Sequence, residues 1–348
     1  MPHRKRTIEK HGFTRAVASI EALFTRLQPL PGQVDTMKFP KYLIATAVGA
    51  LSIALAAPPA LAKKPSATPQ VAATAPTPAP APRKGTPALW KVADQDTTIY
   101  LFGTVHLLAK DVSWFEPDIA PALQSADELV TEVDLANTSA KPELLLAKAS
   151  LPAGENLRAL LPPENRQSLE QALGTLGLPA GTFDGQKPWF AALNLTILPL
   201  LAAGYDMNSG VEVVLDRNAP SRTKRSALET MEFQLDLFDS LPQDLQIAYL
   251  GQVSAAVPET KRQLDEMVDA WLAGDADRLA SLMNSQEVDP VVFEKLVTSR
   301  NKNWTNWIVK RLEQPGTVFM AVGAGHLAGP GSVQDQLSTL GIVSARVK

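Results

Sequence analysis

From residue 88 onward the apolar positions alternate between two periods, one of strands and one of helices. Residues 89–93 (Leu-Trp-Lys-Val-Ala) read as a strand, 94–97 as a turn and 98–103 as a second strand, together a hairpin. Residues 113–125 have helical spacing at Phe115, Ile119 and Leu123, with Pro117 in the first turn. Residues 128–134 then read as a short strand that turns acidic at its end. Strand, helix and strand at this spacing predict a βαβ unit with parallel pairing.

A long helical region follows, over about 141–314. Residues 142–151, 163–176, 187–203 and 209–218 each repeat apolar residues at three-to-four spacing. The stretch 224–228 interrupts them as a short strand closing on Glu229. Trp271, Leu272, Leu279 and Leu282 mark an antiparallel helix pair, and Trp304, Trp307, Ile308 and Leu312 a final long helix broken by Pro315-Gly316. The apolar faces of this insert are assigned to the core rather than to a docking groove. Residues 318–322 are a continuous apolar strand, as expected where helices cover both faces. A helix over 332–339 and a strand over 342–347 complete a second βαβ unit. The expected fold is α/β: a central, mostly parallel sheet with two βαβ-type units flanked by helices, plus the large helical insert.

The residues before 88 pattern differently. From Met37 the chain reads as a secretory signal: Lys38 and Lys41 make a basic start, 42–57 an apolar run, and Ala60-Leu61-Ala62 a small-x-small cleavage site. The run falls short of the ~20 residues that span a bilayer, and Pro58-Pro59 ends it. A cleaved signal over 37–62 is therefore expected, with a secreted or periplasmic product and membrane contact only through that segment if it stays uncleaved. Two accounts fit residues 1–36: a spurious extension upstream of a start at Met37, or a long basic n-region. Residues 63–87 are rich in Pro and Ala, which favours an extended spacer over a packed core. The folded domain is expected over 88–348.

Charge sharpens this division. Residues 1–62 carry a net +5 and residues 63–348 a net −8. An acidic domain lacks the basic surface that nucleic-acid binding requires, so that class is excluded. With no cysteine in the chain there is no disulfide, thiolate metal site or thiol nucleophile.

The chemistry gathers at the predicted strand ends. The chain has four histidines, and His3 and His11 lie before the signal. The other two sit in matched contexts, Gly103-Thr104-Val105-His106 and Gly323-Ala324-Gly325-His326, each after an apolar run. Four predicted strands thus end near a coordinating residue: His106, Glu132, Glu229 and His326. In open α/β sheets ligands bind beyond the carboxyl ends of the strands, so one polarity would bring all four to a common crevice. Two imidazoles with one or two carboxylates suit a divalent transition metal, here Mn, Co or Zn. A second carboxylate could then act as general base, and Asp134 is the spare acid near Glu132. Each residue also has a purely structural reading. A strand-end histidine can be a satisfied core group, and Glu229 can cap the next helix. Arg300, near the start of the last long helix, can pair with Glu229 or hold a substrate carboxylate.

Resemblance adds to this. The stretches Leu89-Trp90-Lys91-Val92, 99–106, 126–134, Lys187-Pro188-Trp189, Gly210-Val211-Glu212, Leu228-Glu229-Thr230 with Gln234, Arg300-Asn301 and 321–327 are similar to those of the TraB/GumN family. That family is related to the Tiki proteases, which are metal-dependent and rely on paired GxxH motifs and a glutamate. The resemblance implies metal ligation by His106, Glu132 and His326, with Glu132, Glu229 and Arg300 in catalytic or supporting roles. Glu212 stands where the family pattern has Asp, one methylene longer. The expected function is a metal-dependent hydrolase, a peptidase, acting on a peptide or small-molecule substrate. The alternative is a non-catalytic envelope protein holding a metal or haem in the same pocket. A third reading is a metal-free esterase in which His106 or His326 is the general base and Glu132 orients it. It ranks last because no Gly-x-Ser-x-Gly elbow is present.

Overall fold

The computed structural model describes residues 82–115, 118–134, 142–284 and 289–347. The signal segment, residues 1–36 and most of the 63–87 spacer lie outside the described residues. No described helix is long and apolar enough to cross a membrane.

A six-stranded sheet organises the fold. Its strands in chain order are β2 (Leu89–Ala93), β3 (Thr97–Thr104), β6 (Glu128–Thr131), β8 (Lys224–Ala227), β9 (Gly316–Gly323) and β10 (Ala345–Arg346). Short pairs stand apart: β1 (Arg83–Lys84) with β5 (Val112–Ser113), and β4 (Leu108–Ala109) with β7 (Tyr205–Asp206). Across the sheet the order is β10-β2-β3-β9-β6-β8. The run β3-β9-β6-β8 pairs in parallel, whereas β2 is antiparallel to both β3 and β10. The sheet is thus mixed rather than mostly parallel. The cause is local: only Asp94, Gln95 and Asp96 separate β2 from β3, and so tight a turn joins antiparallel strands only. Asp94 fixes that turn by accepting from the amides of Asp96 and Thr97.

Two boundaries and two strand positions also differ from the sequence reading. Ser113 pairs with Lys84 in a strand, and the helix predicted from 113 starts at Ile119. The strand predicted to reach 134 ends at Thr131, whose hydroxyl donates to the Val133 carbonyl and turns the chain. Asp134 therefore does not share a strand face with Glu132. The last strand lies beside β2 at the sheet edge, so β3 and β2 separate it from β9. The first predicted unit is likewise opened: β9 inserts between β3 and β6.

Both faces of the sheet are covered, which explains the unbroken apolar run of β9. Val318, Met320 and Val322 pack on one face with Val130, Leu101, Trp304 and Ile308; Phe319 and Ala321 face the other with Phe102 and Leu129. Burying a side chain of this size contributes roughly 1.5–3 kcal/mol, so helices on both sides are needed to hold the strand in place.

Register then sets where the chemistry can occur. Phe102 pairs with Ala321, Ala321 with Thr131, and Thr131 with Ala227. β6 and β8 finish on this row and β3 and β9 run two residues further, to Thr104 and Gly323, so all four strands leave the sheet at the same edge.

Candidate active site

Residues just past those ends converge. Two more backbone bonds extend the ladder, from the Leu228 amide to Thr131 O and from the Glu229 amide to Glu132 O. They set Glu132 and Glu229 side by side. A methyl group on Gly323 would stand 3.1 Å from Glu132 Oε1, 3.6 Å from the His326 ring and 3.9 Å from His106 Nε2. Both histidines and Glu132 therefore border one small space, and Gly323 leaves it open. Its amide also donates to Glu132 Oε1 at 2.7 Å.

Arg300 is the hub of the cluster. It is the second residue of the helix Ser299–Arg311, directly after a π-helical turn, Glu294–Thr298. Nη2 reaches Glu132 Oε2 at 2.6 Å and Glu229 Oε2 at 2.8 Å, and Nε reaches Glu229 Oε1 at 2.9 Å. Nη1 donates to the Leu296 carbonyl at 3.2 Å and stands 3.0 Å from His326 Nε2. The guanidinium also lies over the Trp304 ring, 4.7 Å from its centroid. Of the two earlier readings of Arg300, pairing with Glu229 is the one seen. Glu229 does not cap the following helix; Thr230 does, accepting from the Phe233 amide at 3.1 Å.

Each imidazole has a side-chain oxygen close to Nδ1. His326 Nδ1 lies 2.6 Å from Asn301 Oδ1, so Nδ1 carries the proton and Nε2 presents its lone pair to Arg300. His106 Nδ1 lies 2.5 Å from Glu212 Oε1, an ion-pair contact outside hydrogen-bond geometry, while its buried Nε2 has no hydrogen-bond partner among the described residues. A carboxylate or amide behind each ring, with Nε2 inward, is how proteins orient histidines for a metal or a proton.

Electrostatics separates the roles. Burial alone would raise the Glu132 pKa, but the Arg300 guanidinium foremost, then both imidazoles and the Gly323 amide, hold it at about 2. Burial and Arg300 together push His326 down to about 3, so it is neutral near pH 7. His106 is raised instead: burial opposes its charged form, but Glu212 and Glu132 outweigh that penalty.

Three groups of this site were not assigned to it from the residues alone. Gln234 bridges the acids, donating to Glu132 Oε2 at 3.0 Å and Glu229 Oε2 at 2.9 Å. Trp304, read as a core marker, donates from Nε1 to Glu229 Oε1 at 3.0 Å. Its position four residues after Arg300, on the same helix face, was the available signal. Glu212 enters from the helix Val211–Asn218, whose first amide donates to the Val105 carbonyl. Asp134 is half-buried past the turn after Thr131.

Gly210 makes the Glu212 contact possible. A β-carbon there would meet the His106 carbonyl oxygen at 2.2 Å and Met207 O at 3.0 Å, both backbone atoms. Gly210→Ala should cost about 1–3 kcal/mol and pull His106 away from Glu212. Urea unfolding with an NMR titration of His106 checks this. Unchanged stability together with an unchanged His106 pKa would show that the close approach has no such role.

Among the described residues no three His, Asp or Glu side chains stand in a ready metal-binding arrangement. Arg300 Nη1 lies where a ligand of His326 Nε2 would be. The donor types nonetheless suit a divalent ion, and the orphaned Nε2 of His106 is the group such an ion would satisfy.

The model of the TraB/PrgY/gumN family matches residues 88–345. The uncharacterized protein YbaP of Escherichia coli (strain K12) is 28% identical over 240 residues, covering 68% of this chain and 87% of that protein. The metalloprotease TIKI1 of Danio rerio is 25% identical over 304 residues, covering 72% of this chain and 60% of that protein. TIKI1 of Xenopus tropicalis is 24% identical over 312 residues, with 73% and 60% covered. No solved structure matches the chain significantly.

Proposed function

The chain belongs to the TraB/PrgY/gumN family, and from that premise we propose that it is a metal-dependent hydrolase of peptide bonds working outside the cytoplasm. The observation that carries the reading is the pair of histidines beside the space that Glu132 borders, each with a side-chain oxygen of Glu212 or Asn301 at Nδ1; His106 Nε2 faces that space, and His326 Nε2 meets Arg300 at its edge. Relatives named metalloproteases favour the same chemistry. The extracytoplasmic placement rests on the signal pattern of residues 37–62.

His106, Glu132 and His326 would hold the ion. The chemistry such an ion supplies is Lewis-acid polarisation of an amide carbonyl and acidification of water. The chain's own groups do the rest. Glu132, with a pKa of about 2, is a fixed anion and a poor proton acceptor near neutrality. Glu132 therefore suits ligation or charge stabilisation rather than the role of general base. Glu229 is held by Arg300, Trp304 and Gln234 and fixes the guanidinium. Arg300, with its five N–H groups engaged by Glu132, Glu229, the Leu296 carbonyl and His326, holds the two carboxylates in place and supplies the charge beside them.

One observation favours a second reading. Arg300 Nη1 stands 3.0 Å from His326 Nε2, so the guanidinium already serves one proposed ligand. A metal-independent hydrolase would use the orphaned His106 Nε2 as base, and Glu212 rather than Glu132 as the residue orienting it.

Titration calorimetry and elemental analysis of the full chain with Mn²⁺, Co²⁺ and Zn²⁺ test both, together with hydrolysis of blocked peptides with and without chelator. We expect one ion per chain, lost in His106→Ala and in His326→Ala, and chelator-sensitive hydrolysis. Failure to bind any of these ions would sink the metal reading. Hydrolysis that survives chelation would favour the second reading. Tight binding of metal or haem without hydrolysis of any peptide would make the chain a binding protein.

A further inference from the structure

The end of β3 carries an unpaired polar group. Thr104, its last residue and the second of the stretch ending in His106, is fully buried. Its hydroxyl has no hydrogen-bond partner among the described residues. Threonines buried at other strand ends of the same sheet behave differently: Thr97 donates to the Gln314 carbonyl and Thr131 to that of Val133. A buried hydroxyl without a partner is costly, and native structures rarely keep one without a use for it.

Register places that hydroxyl. Thr104 pairs with Gly323 as Phe102 pairs with Ala321. Phe102 and Ala321 pack into one core on one face of the sheet, and residues two further along each strand return to that face. Thr104 therefore shares a face with the side chain that Gly323 does not have, on strands spaced about 4.8 Å apart. A β-carbon on Gly323 would stand 3.9 Å from His106 Nε2, itself buried and without a hydrogen-bond partner among the described residues. Thr104 Oγ1 and His106 Nε2 thus border one space, which Gly323 keeps clear of side-chain atoms. The backbone around Thr104 is fixed from two helices. Trp271 Nε1 donates to the Gly103 carbonyl at 2.8 Å, and the Val211 amide to that of Val105 at 3.0 Å. A hydroxyl both donates and accepts, so a single oxygen between it and the imidazole would satisfy both groups.

We propose that Thr104 is a positioning residue whose hydroxyl holds, beside His106, the water that hydrolysis consumes. The assignment rests on the hydrolase reading and applies whether or not an ion shares the site. In the reaction the water oxygen bonds to the acyl carbon as the carbon–nitrogen bond breaks. One of its protons ends on the amine, the other is released from the new carboxyl group, and Thr104 is unchanged.

Thr104→Val keeps the shape and removes the hydroxyl. It should lower kcat for blocked peptides at least about tenfold and leave KM within about twofold, as expected when a reactant other than the peptide is misplaced. Thr104→Ser should restore kcat to within about threefold of wild type. The urea midpoint of the Val variant should not fall, since the lost hydroxyl bonded no described group. A crystal structure of the full chain grown in chelator reads the site without turnover. It should show an ordered oxygen within about 3.2 Å of both Thr104 Oγ1 and His106 Nε2, missing from the Val variant. No such oxygen, a Thr104 hydroxyl bonded to a protein carbonyl, a loss confined to KM, or equal losses in Val and Ser would each overturn the assignment. The two readings fail separately. A bridging oxygen with no cleavage of any peptide would sink the hydrolase, and the role in attack with it. Cleavage that Thr104→Val leaves intact would keep the hydrolase and sink the role of Thr104.

Discussion

Arg300→Met should destabilise the chain by about 3–5 kcal/mol at pH 7, a large fraction of a typical domain's stability. Arg300 is 3% exposed, and its guanidinium faces Glu132 and Glu229, both buried, at 2.6 and 2.8 Å. Methionine keeps most of the volume, so the loss comes from two buried carboxylates left side by side. The pH dependence carries the sign. Glu132 has a folded pKa of about 2 against an ordinary 4.5, so its stabilisation is present above about 4.5 and lost as pH falls through about 2. His326, lowered from 6.5 to about 3, acts in the same sense: the unfolded chain takes its proton first, and stability falls as pH drops below about 6.5. His106 opposes them, because its raised pKa contributes stability at low pH that is lost as pH rises through the folded value. In the variant Glu132 loses the foremost influence holding its pKa down. Its gap from the wild type should then narrow on acidification below about pH 4.5. Urea unfolding at pH 7, 5 and 4 in chelator measures both. A variant within about 1 kcal/mol of wild type at pH 7 would mean the carboxylates find another partner.

Why so much of this cluster could be seen in the chain is physical. A strand covered on both faces must be apolar throughout, so the first polar residue after it marks where the chain leaves the sheet. That logic located His106, Glu132, Glu229 and His326, and the parallel register of β3, β9, β6 and β8 brings them to one edge. It stops where contacts depend on side-chain reach across distant elements. Glu212 meets His106 only because Gly210 lets a helix start press against the His106 carbonyl. Trp304 packs as a core residue and bonds as a site residue at once, so its apolar spacing concealed the second role. The mixed pairing of the sheet was half visible: the hairpin was read, but nothing local to residues 342–347 reports that their partner is β2.

Glu132→Gln is the substitution expected to affect catalysis most, lowering kcat/KM for a cleaved peptide by about 10²–10⁴ through kcat. The argument is that Gln keeps the shape and removes the charge. The Gly323 amide can still donate to a side-chain oxygen at the Oε1 position; the new NH2 then faces the Arg300 and Gln234 donors and costs some stability, but both of those groups retain Glu229. What is lost is the one anion that both imidazoles, Gln234 and Arg300 share. Under the metal reading the change weakens ion binding, which calorimetry reads without any turnover. Under the metal-independent reading it leaves Arg300 and His106 less favourably charged, with ion binding irrelevant. Either way His106 should titrate at lower pH, because Glu132 is one of the charges raising it. The same loss of rate with unchanged affinity for every divalent ion would assign Glu132 to electrostatics rather than ligation. Retention of more than a tenth of wild-type kcat/KM would take it out of the chemistry and leave the cluster around Arg300 as a structural core.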